Sequence, residues 1–147
     1  MSETSNPVAQ LNELIRGIHT SVLTTARTDG TLHSCPMASR PADASGVLWF
    51  LSHNHTEKVQ AARENPHVNV AFMDPTLHRY VSVSGYCELV RDRVLAKELW
   101  DPGYASWFPG GVDDSDLILM KVHIRQAESW DAKKGRMQTV VGLRAGV

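Results

Sequence analysis

Val47-Leu48-Trp49-Phe50-Leu51-Ser52 is followed directly by His53-Asn54-His55-Thr56-Glu57-Lys58-Val59. The first run is apolar and typical of a buried strand, and the second predicts the start of a helix, where backbone N–H groups have no partner. Thr56 and Lys58 place a hydroxyl and an amine two residues apart at this terminus, a combination that suits a phosphate group. Because the apolar strand offers a surface for a flat ring, the segment predicts a site for a phosphorylated aromatic cofactor.

The overall composition favours one globular domain that binds a small ligand. The 147 residues are 42% hydrophobic, which is enough for a core without disulfides or a structural metal. We therefore expect a single domain over residues 1–147, with residues 1–7 and 132–147 as flexible ends. The 15 Lys and Arg residues are balanced by 16 Asp and Glu residues, so no basic surface for nucleic acid is predicted.

Two further features bear on location and redox chemistry. The segment from Met1 to Gln10 is polar and no apolar stretch is long enough to cross a bilayer, so we expect a cytoplasmic protein without membrane contact. Cys35 and Cys87 lack a CxxC spacing, which predicts neither a disulfide framework nor a thiolate metal site.

Hydrophobic periodicity and turn residues predict a mainly β fold. Most successive strands are joined by short turns, so we expect a six-stranded antiparallel β-barrel with short flanking helices. Pro36 predicts a bulge or an unpaired ladder position in the second strand, and residues 131–147 are expected to form an arm or a mobile tail. The predicted strands are residues 19–27, 31–39, 47–52, 67–73, 80–90 and 117–125, and the predicted helices are residues 8–19, 56–65 and 92–100.

Two of the candidate segments also have a purely structural interpretation. Thr56 is a common residue at the start of a helix, and Lys58 would then be an ordinary solvated side chain. The loop at residues 100–111 is crowded with aromatic rings and glycines. It is either a small core under a loop, or a lid or dimer surface that presents Trp107 and Phe108 to a flat ligand or a neighbouring subunit.

The histidines and acidic residues do not follow a known metal-binding pattern. His53 and His55 have no third ligand at a recognisable spacing, so we expect no metal site. The run Asp113-Asp114-Ser115-Asp116 lacks the pattern of a calcium loop and is expected to be a solvated turn. No GxSxG motif is present, and Cys35 has no base close to it in the sequence.

Taken in order, five groups of residues resemble one known family. The groups are Asp29-Gly30-Thr31-Leu32-His33-Ser34 leading to Pro36-Met37-Ala38, Leu48-Trp49-Phe50-Leu51 with Thr56-x-Lys58, Tyr80-Val81-Ser82-Val83-Ser84-Gly85, Trp107-Phe108-Pro109-x-Gly111-x-Asp113-Asp114, and Glu128-x-Trp130-Asp131. Their order and spacing over about residues 14–131 resemble the pyridoxamine 5′-phosphate oxidase-like FMN-binding split barrels. The resemblance is greatest to the general stress protein 26 branch of that family.

The resemblance implies an FMN cofactor at the interface of a homodimer. The positions that match Thr56 and Lys58 would hold the phosphate, and Tyr80 would lie near the ring. Trp107 and Trp130 would come from the partner chain. The flavin ring would lie along the strands, at Met37, Ala38, Ser39, Leu51 and Ser52.

One position departs from the family pattern. The family has Arg-Pro-Met where this chain has Cys35-Pro36-Met37, so a guanidinium aimed at the cofactor phosphate is missing. The loss of one charge-assisted hydrogen bond of about 1.5–3 kcal/mol would weaken FMN binding by roughly tenfold to a hundredfold. We therefore expect a reduced affinity for FMN unless Arg40 or Arg79 reaches the phosphate.

The sequence thus leads to an FMN-binding oxidoreductase as the first hypothesis. The flavin would exchange hydride or electrons at N5 with a nicotinamide or a small conjugated substrate, and the general stress protein branch connects the chain with stress. The alternatives are a flavin carrier or sensor without turnover, and a split barrel that binds haem or a deazaflavin. No catalytic acid or base is identified, and vitamin B6 oxidase activity is not implied.

Overall fold

The runs predicted as strands form one antiparallel sheet in the computed structural model, which describes residues 6–142. Among these residues there are seven strands, three α-helices and a 3₁₀ turn at Pro102–Ser106. In chain order the elements are α1 (Pro7–Ile15), β1 (Thr20–Ala26), β2 (Leu32–Ala38), β3 (Val47–His53), α2 (Glu57–Glu64), β4 (His67–Asp74), β5 (Arg79–Val90), α3 (Arg93–Leu99), β6 (Leu117–Asp131) and β7 (Arg136–Gly142).

The order of the strands makes β2 and β3 the two ends of the sheet. The path runs β2-β1-β4-β5-β6-β3 with every neighbour antiparallel, and β7 pairs with β6 beside this path. Because no ladder joins β2 to β3 among the described strands, the barrel is split between them. The mainly β, antiparallel split barrel with short flanking helices is confirmed, and the structure adds a seventh strand to the six predicted.

The inward faces of the strands form the main apolar core. Leu23 of β1, Val70 of β4 and Val83 of β5 are fully buried there. Leu11 of α1 and Val59 of α2 are also fully buried and pack against the same core. Each such side chain contributes about 1.5–3 kcal/mol through burial, so the helices are held mainly by these contacts. The longest described helix, α1, has nine residues, and no described helix combines the length and the apolarity of a bilayer span.

A second, smaller cluster covers the outer side of β3 and β6. It joins the first residues of β6 to the inner side of α3 and to the aromatic loop that follows it. Since this cluster lies outside the barrel, it fixes the aromatic loop to the sheet without contributing to the main core. Its buried members are Leu51, Ala96, Phe108, Leu117 and Leu119.

The C-terminal segment is more ordered than the sequence indicates. Residues expected to form an arm or a mobile tail instead form β7, which pairs with the second half of β6 from Gln126↔Gly142 to Asp131↔Arg136. Most side chains of β7 are exposed, so it has little of the hydrophobic alternation that marks a strand in a sequence. Residues 1–5 and 143–147, which include parts of the two predicted flexible ends, lie outside the described residues.

Of the two alternatives predicted at Pro36, the bulge is absent and the unpaired ladder position is present. Pro36 pairs in register with Val22, at the edge of the sheet. The N–H of Ser39 donates to the carbonyl of His19, so these residues form a hydrogen-bonded pair. Hydrogen-bonded and non-hydrogen-bonded pairs alternate along an antiparallel ladder, so Pro36 and Val22 form a non-hydrogen-bonded pair. The Pro36 nitrogen therefore points away from β1, where no donor is needed. The register shifts of the described sheet lie instead at Ser84/Gly85, between β5 and β6, and at Ala127/Glu128, between β6 and β7.

Gly85→Ala is expected to destabilise the barrel strongly. A Cβ at this position would lie 2.1 Å from the carbonyl oxygen of His123, so β5 and β6 would have to separate. We expect the free energy of unfolding to fall by about 3 kcal/mol, as measured by urea denaturation. Gly142→Ala is the matched control, because its Cβ would meet only a methyl group of Thr139 at 3.3 Å. Equal stability of the two variants would contradict the close approach of the two backbones.

Candidate functional site

The end of β3 and the start of α2 bring three of the predicted site residues together. Ser52 is buried, and its hydroxyl lies 3.4 Å from Oγ1 of Thr56. Thr56 occupies the N-cap position of α2, but its hydroxyl donates to the carbonyl of His53 at 2.7 Å and makes no capping hydrogen bond. Thr56 therefore stands at the start of the helix, as the structural interpretation expects, but its side chain does not cap the helix. Its hydroxyl leaves the first N–H groups of α2 uncovered, with Lys58 in the first turn.

The charge of Lys58 acts on Cys35 of β2. Burial raises the pKa of the Cys35 thiol above its ordinary value of 9.0, and the positive charge of Lys58 partly opposes this effect. Cys35 is half-buried, and its Sγ lies 4.0 Å from Sδ of Met37. Cys35 is therefore a neutral thiol near pH 7, and Lys58 supplies the positive charge between α2 and β2.

The loop between β3 and α2 is held in place by the acidic run. The N–H of Asn54 donates to the carbonyl of Asp116 at 2.7 Å, and Nδ1 of His55 is hydrogen-bonded to the Asp116 carboxylate. Nε2 of His53 lies 3.5 Å from the carboxylate of Asp114. The expected turn is present, with Asp113 and Ser115 exposed, but Asp114 and Asp116 are half-buried because they contact this loop. Within residues 6–142, no three His, Cys, Asp or Glu side chains are arranged to hold a metal ion.

A branched salt bridge holds the other side of α2. Nε of Arg27, at the end of β1, donates to Glu57 at 2.9 Å, and Nη1 of Arg27 lies 2.5 Å from Glu64. Both carboxylates are partly exposed, so each pair contributes little to the stability of the fold. The main effect of the salt bridge is to position α2, because it ties both ends of this helix to the hairpin that contains β2.

The far end of β2 opens into a cleft of about 500 Å³, which we call the aromatic cleft. Ala38 and Ser39 line it from the end of β2, and Tyr104 and Trp107 line it from the aromatic loop. A strand rises about 3.3 Å per residue, so Ser39 lies roughly 13 Å along the chain from Cys35. The same strand therefore leads from the charge of Lys58 to an aromatic surface.

Neighbouring residues of the aromatic loop have opposite surroundings. Phe108 is 7% exposed, belongs to the second cluster, and has its ring centroid 5.2 Å from that of His53. Trp107 is 39% exposed and lines the aromatic cleft. The core interpretation therefore holds for Phe108 and the surface interpretation for Trp107. The family resemblance implies that the Trp107 of a partner chain lies at the flavin ring. In the structure of the single chain, its own Trp107 lies beside Ala38 and Ser39.

The structure also reveals site residues that were not predicted from the sequence. Ser21 is buried on the inward face of β1, and the hydroxyl of Ser39 donates to its hydroxyl at 2.5 Å. The sequence signal for Ser21 is its place two residues before Leu23, because alternate residues of a strand face the same side and Leu23 faces inward. His19 lines the aromatic cleft as well, and the sequence carries no signal for it beyond its place before β1.

The remaining predicted residues lie apart from the cleft within a single chain. Leu51 points to the outer side of β3 and packs in the second cluster, whereas Met37 is buried in the main core. Tyr80 and Trp130 lie on β5 and β6 and do not line the aromatic cleft. A single chain therefore unites the residues of β2, α2 and the aromatic loop but leaves these other positions elsewhere.

The two arginines considered as substitutes for the missing guanidinium are bound elsewhere. Nη1 of Arg40 donates to the carbonyl of Leu99 at 2.7 Å, at the end of α3. Nη1 of Arg79 donates to the carbonyl of Glu13 at 3.2 Å, in α1. In the described part of the chain, Lys58 is therefore the cation whose charge lowers the pKa of Cys35.

Solved structures with the same fold define the class of protein. General stress protein 26 from Bacillus anthracis str. Sterne is 22% identical, with a TM-score of 0.73 over 90% of this chain and 97% of that chain. A protein named F420 reductase is 25% identical, with a TM-score of 0.62 over 79% of this chain and 94% of that chain. A FAD-binding protein from Mesorhizobium loti is 20% identical, with a TM-score of 0.67 over 82% of this chain and 91% of that chain. The fold is that of the split barrels.

The sequence comparison identifies the family. A family model described as pyridoxamine 5′-phosphate oxidase like matches residues 6–147, and the chain belongs to this family. The resemblance found in the sequence motifs is thereby confirmed. Protein bli-3 of Neurospora crassa is 28% identical over 116 residues, which are 72% of this chain and 56% of bli-3. This chain thus spans little more than half the length of that relative.

Asp116→Asn is expected to lower the free energy of unfolding at pH 7 in a pH-dependent way. The hydrogen bond with His55 lowers the pKa of the Asp116 carboxyl below its ordinary value of 3.8. Such a group stabilises the folded state above the unfolded pKa, and the contribution disappears as the pH falls through the folded pKa. The difference between wild type and variant should be constant above about pH 5 and shrink below it, as measured by urea denaturation.

Asp113→Asn is the control for this experiment. The Asp113 carboxylate is largely exposed and lies 3.7 Å from Arg93 and 3.8 Å from Lys97. We expect this variant to change the stability little at any pH. A difference for Asp116→Asn that grows as the pH falls would contradict the role given to its carboxylate.

Proposed function

We propose that this chain binds FMN along β2 and acts as a flavin-dependent oxidoreductase. The observation that carries the proposal is the arrangement along one strand, with Lys58 and the start of α2 at Cys35 and the aromatic cleft at Ala38 and Ser39. This order matches a cofactor with a phosphate at one end and a flat ring at the other. When bound, FMN supplies hydride or electron exchange at N5.

The residues at the α2 end fit a phosphate group. Lys58 would neutralise its charge, and the first N–H groups of α2 would donate hydrogen bonds to its oxygens. The hydroxyl of Ser52, 3.4 Å from that of Thr56, is a further donor at the same point, whereas the Thr56 hydroxyl would have to leave the carbonyl of His53 to donate to the phosphate. With a neutral thiol at Cys35 in place of a guanidinium, the phosphate would meet one cation rather than two, so the affinity for FMN should be reduced.

The residues at the other end fit the ring. Ala38 and Ser39 form the floor of the aromatic cleft, and Trp107 forms a wall. The hydrogen bond between Ser39 and buried Ser21 fixes the end of β2, so the floor is held in one position. We expect these residues to orient the ring and to keep water from one side of it.

A homodimer is the second part of the proposal. The outer face of β4, β5, β6 and β7 carries exposed apolar residues in adjoining registered pairs, Met73↔Tyr80 and Trp130↔Met137. Met73 is 55% exposed, Trp130 is 41% exposed and Met137 is 38% exposed. Such a patch is typical of a surface that another subunit covers. Burial there would bring Tyr80 and Trp130 into the assembly, as the sequence motifs imply.

A deazaflavin is the second candidate cofactor. The protein named F420 reductase has the same fold at 25% identity, and the missing guanidinium reduces the advantage of FMN at the phosphate end. A flavin carrier or sensor would bind the cofactor without turnover, and a haem-binding barrel would show a Soret band in its absorption spectrum. The cytoplasmic location and the nicotinamide or small conjugated redox partner stay predictions from the sequence.

Cys35→Arg is expected to bind FMN more tightly than the wild type. The new guanidinium would add a charge-assisted contact to the phosphate, which corresponds to roughly tenfold to a hundredfold in affinity. Lys58→Met should weaken binding by a similar factor, because it removes the remaining cation. Titration of the purified proteins with FMN, followed by flavin fluorescence and absorbance, measures both changes.

Lys97→Met serves as the control for charge alone. Lys97 lies on α3, 3.8 Å from Asp113, and its loss should leave FMN binding unchanged. If Cys35→Arg and the wild type bound FMN equally, the phosphate would not lie at Cys35. If no variant bound FMN and the wild type bound F420, the deazaflavin would replace FMN in the proposal.

Met73→Glu is expected to convert the dimer into a monomer. A carboxylate on the outer face would be placed in an apolar interface without a partner, at a cost of several kcal/mol. Light scattering at several protein concentrations measures the oligomeric state. Val94→Glu is the control, because Val94 is 69% exposed on α3, outside this face. A monomeric wild type with FMN fully bound would contradict the shared site.

A further inference from the structure

The start of α2 carries a negative charge beside the proposed phosphate position. Glu57 is the first residue of the helix, directly between Thr56 and Lys58. A carboxylate in the first turn is attracted to the unpaired N–H groups there, so it competes with an anionic ligand for the positive end of the helix. Left free, Glu57 would therefore oppose the binding of a phosphate at this terminus.

Arg27 binds this carboxylate and holds it on one face of the helix. Nε and Nη2 of Arg27 donate to the same oxygen of Glu57, at 2.9 and 2.5 Å, and Nη1 donates to Glu64 at 2.5 Å. Glu57 and Glu64 are about two helical turns apart, so both side chains lie on the face of α2 that is turned toward Arg27. Lys58 is rotated from Glu57 by about 100° around the helix axis. Arg27 therefore keeps the Glu57 carboxylate on a different face of α2 from Lys58.

The fold does not depend on this salt bridge. The Arg27 side chain is 26% exposed, and those of Glu57 and Glu64 are 49% and 40% exposed. Ion pairs in contact with solvent contribute little to stability, and α2 is anchored independently by the buried side chains of Val59 and Ala62. Replacement of Arg27 should therefore leave the fold intact and change mainly the charge at the start of α2.

The first turn of α2 has no net charge of its own, because Glu57 offsets Lys58. The guanidinium of Arg27, bound directly to Glu57, gives the three groups together one positive charge. Glu64 lies roughly 10 Å farther along the helix, about one Debye length, so its charge is largely screened at the first turn. This balance is important in the present chain, because Cys35 is a neutral thiol where the family pattern has an arginine.

We propose that Arg27 sets the preference of the site for a flavin that carries a phosphate group, by neutralising the Glu57 carboxylate and holding it away from the start of α2. The inference rests on the proposed function, because it concerns the phosphate position between α2 and β2. The Nε, Nη1 and Nη2 atoms of Arg27 already donate to two carboxylates, so Arg27 acts on the phosphate through Glu57 and is a positioning residue. The second positive charge that the family pattern places at position 35 thus comes from β1 in this chain.

The test compares FMN with riboflavin, which has the same ring system and no phosphate. Each is titrated into the purified wild type and its variants at pH 8, where the phosphate carries two negative charges, with flavin fluorescence as the signal. Arg27→Gln releases the Glu57 carboxylate, so FMN should bind about tenfold more weakly while the affinity for riboflavin stays the same. Arg27→Lys keeps the positive charge and should retain most of the affinity for FMN.

Glu57→Gln distinguishes a change of charge from a loss of position. It removes the carboxylate and leaves the positive charges of Arg27 and Lys58, so FMN should bind about threefold more tightly than to the wild type. The double variant Arg27→Gln/Glu57→Gln lacks both charges of the pair and should bind FMN as the wild type does. If the salt bridge acted only by holding α2 in place, each single variant would weaken FMN binding and the double variant would not restore it.

Glu64→Gln is the matched control. It removes the other carboxylate that Arg27 binds and leaves the contact between Arg27 and Glu57 in place. Because Glu64 lies about one Debye length from the first turn, this variant should leave the affinity for FMN unchanged. Urea denaturation of each variant shows whether the fold is intact. The comparison of Glu57→Gln with the wild type needs FMN alone, so it decides the question even where riboflavin binds too weakly to be measured.

The outcomes separate this inference from the proposed function. FMN binding that is equally tight in the wild type and Arg27→Gln, or that is weaker in Glu57→Gln, would overturn the role of Arg27 and leave the flavin proposal intact. An equal loss of affinity for FMN and riboflavin in Arg27→Gln would do the same. A wild type that binds no FMN would overturn the proposed function, and the role of Arg27 with it. FMN binding that Arg27→Gln weakens and the double variant restores supports both.

Discussion

The fold pairs β2 on one side only, and the candidate site depends on this constraint. As the terminal strand of the sheet, β2 forms its ladder with β1 and leaves its other edge to α2 and to the aromatic loop. Pro36 is tolerated there because its missing N–H faces outward. Cys35 and Ser39 can therefore lie next to a cofactor without any loss of sheet hydrogen bonds.

The position of α2 is the second element on which the site depends. Arg27 ties it to the hairpin of β1 and β2, and the acidic turn at Asp116 holds the loop before it. The charge of Lys58 then acts on Cys35. The arginine of the family pattern is absent at Cys35, so this end of β2 has less positive charge than the family pattern provides, whereas the aromatic cleft has a cation, Arg40. The chain thus differs from the family pattern at this position more than in its fold.

The sequence predicted the strands well where one face of each is buried. Residues 47–52 and 67–73 lie within a residue of β3 and β4, because their apolar runs and alternation reflect burial directly. It failed for β7, whose side chains are mostly exposed and carry no such pattern. At Pro36 it left a bulge and an unpaired ladder position as alternatives, because the position of a strand in the sheet depends on partners distant in the sequence. The family motifs identified the family, which periodicity alone does not specify.

By itself, the sequence determined a mainly β antiparallel fold with short helices, a helix start at Thr56, and membership of a family through motifs spread along the chain. These features follow from local burial, turn chemistry and residue order. Only the tertiary structure decided that Trp107 reaches the cleft of its own chain while Phe108 turns into a core, and that Arg40 lines the same cleft. The physical reason is that these contacts join residues far apart in the chain, and side-chain packing across such distances leaves no periodic trace in the sequence.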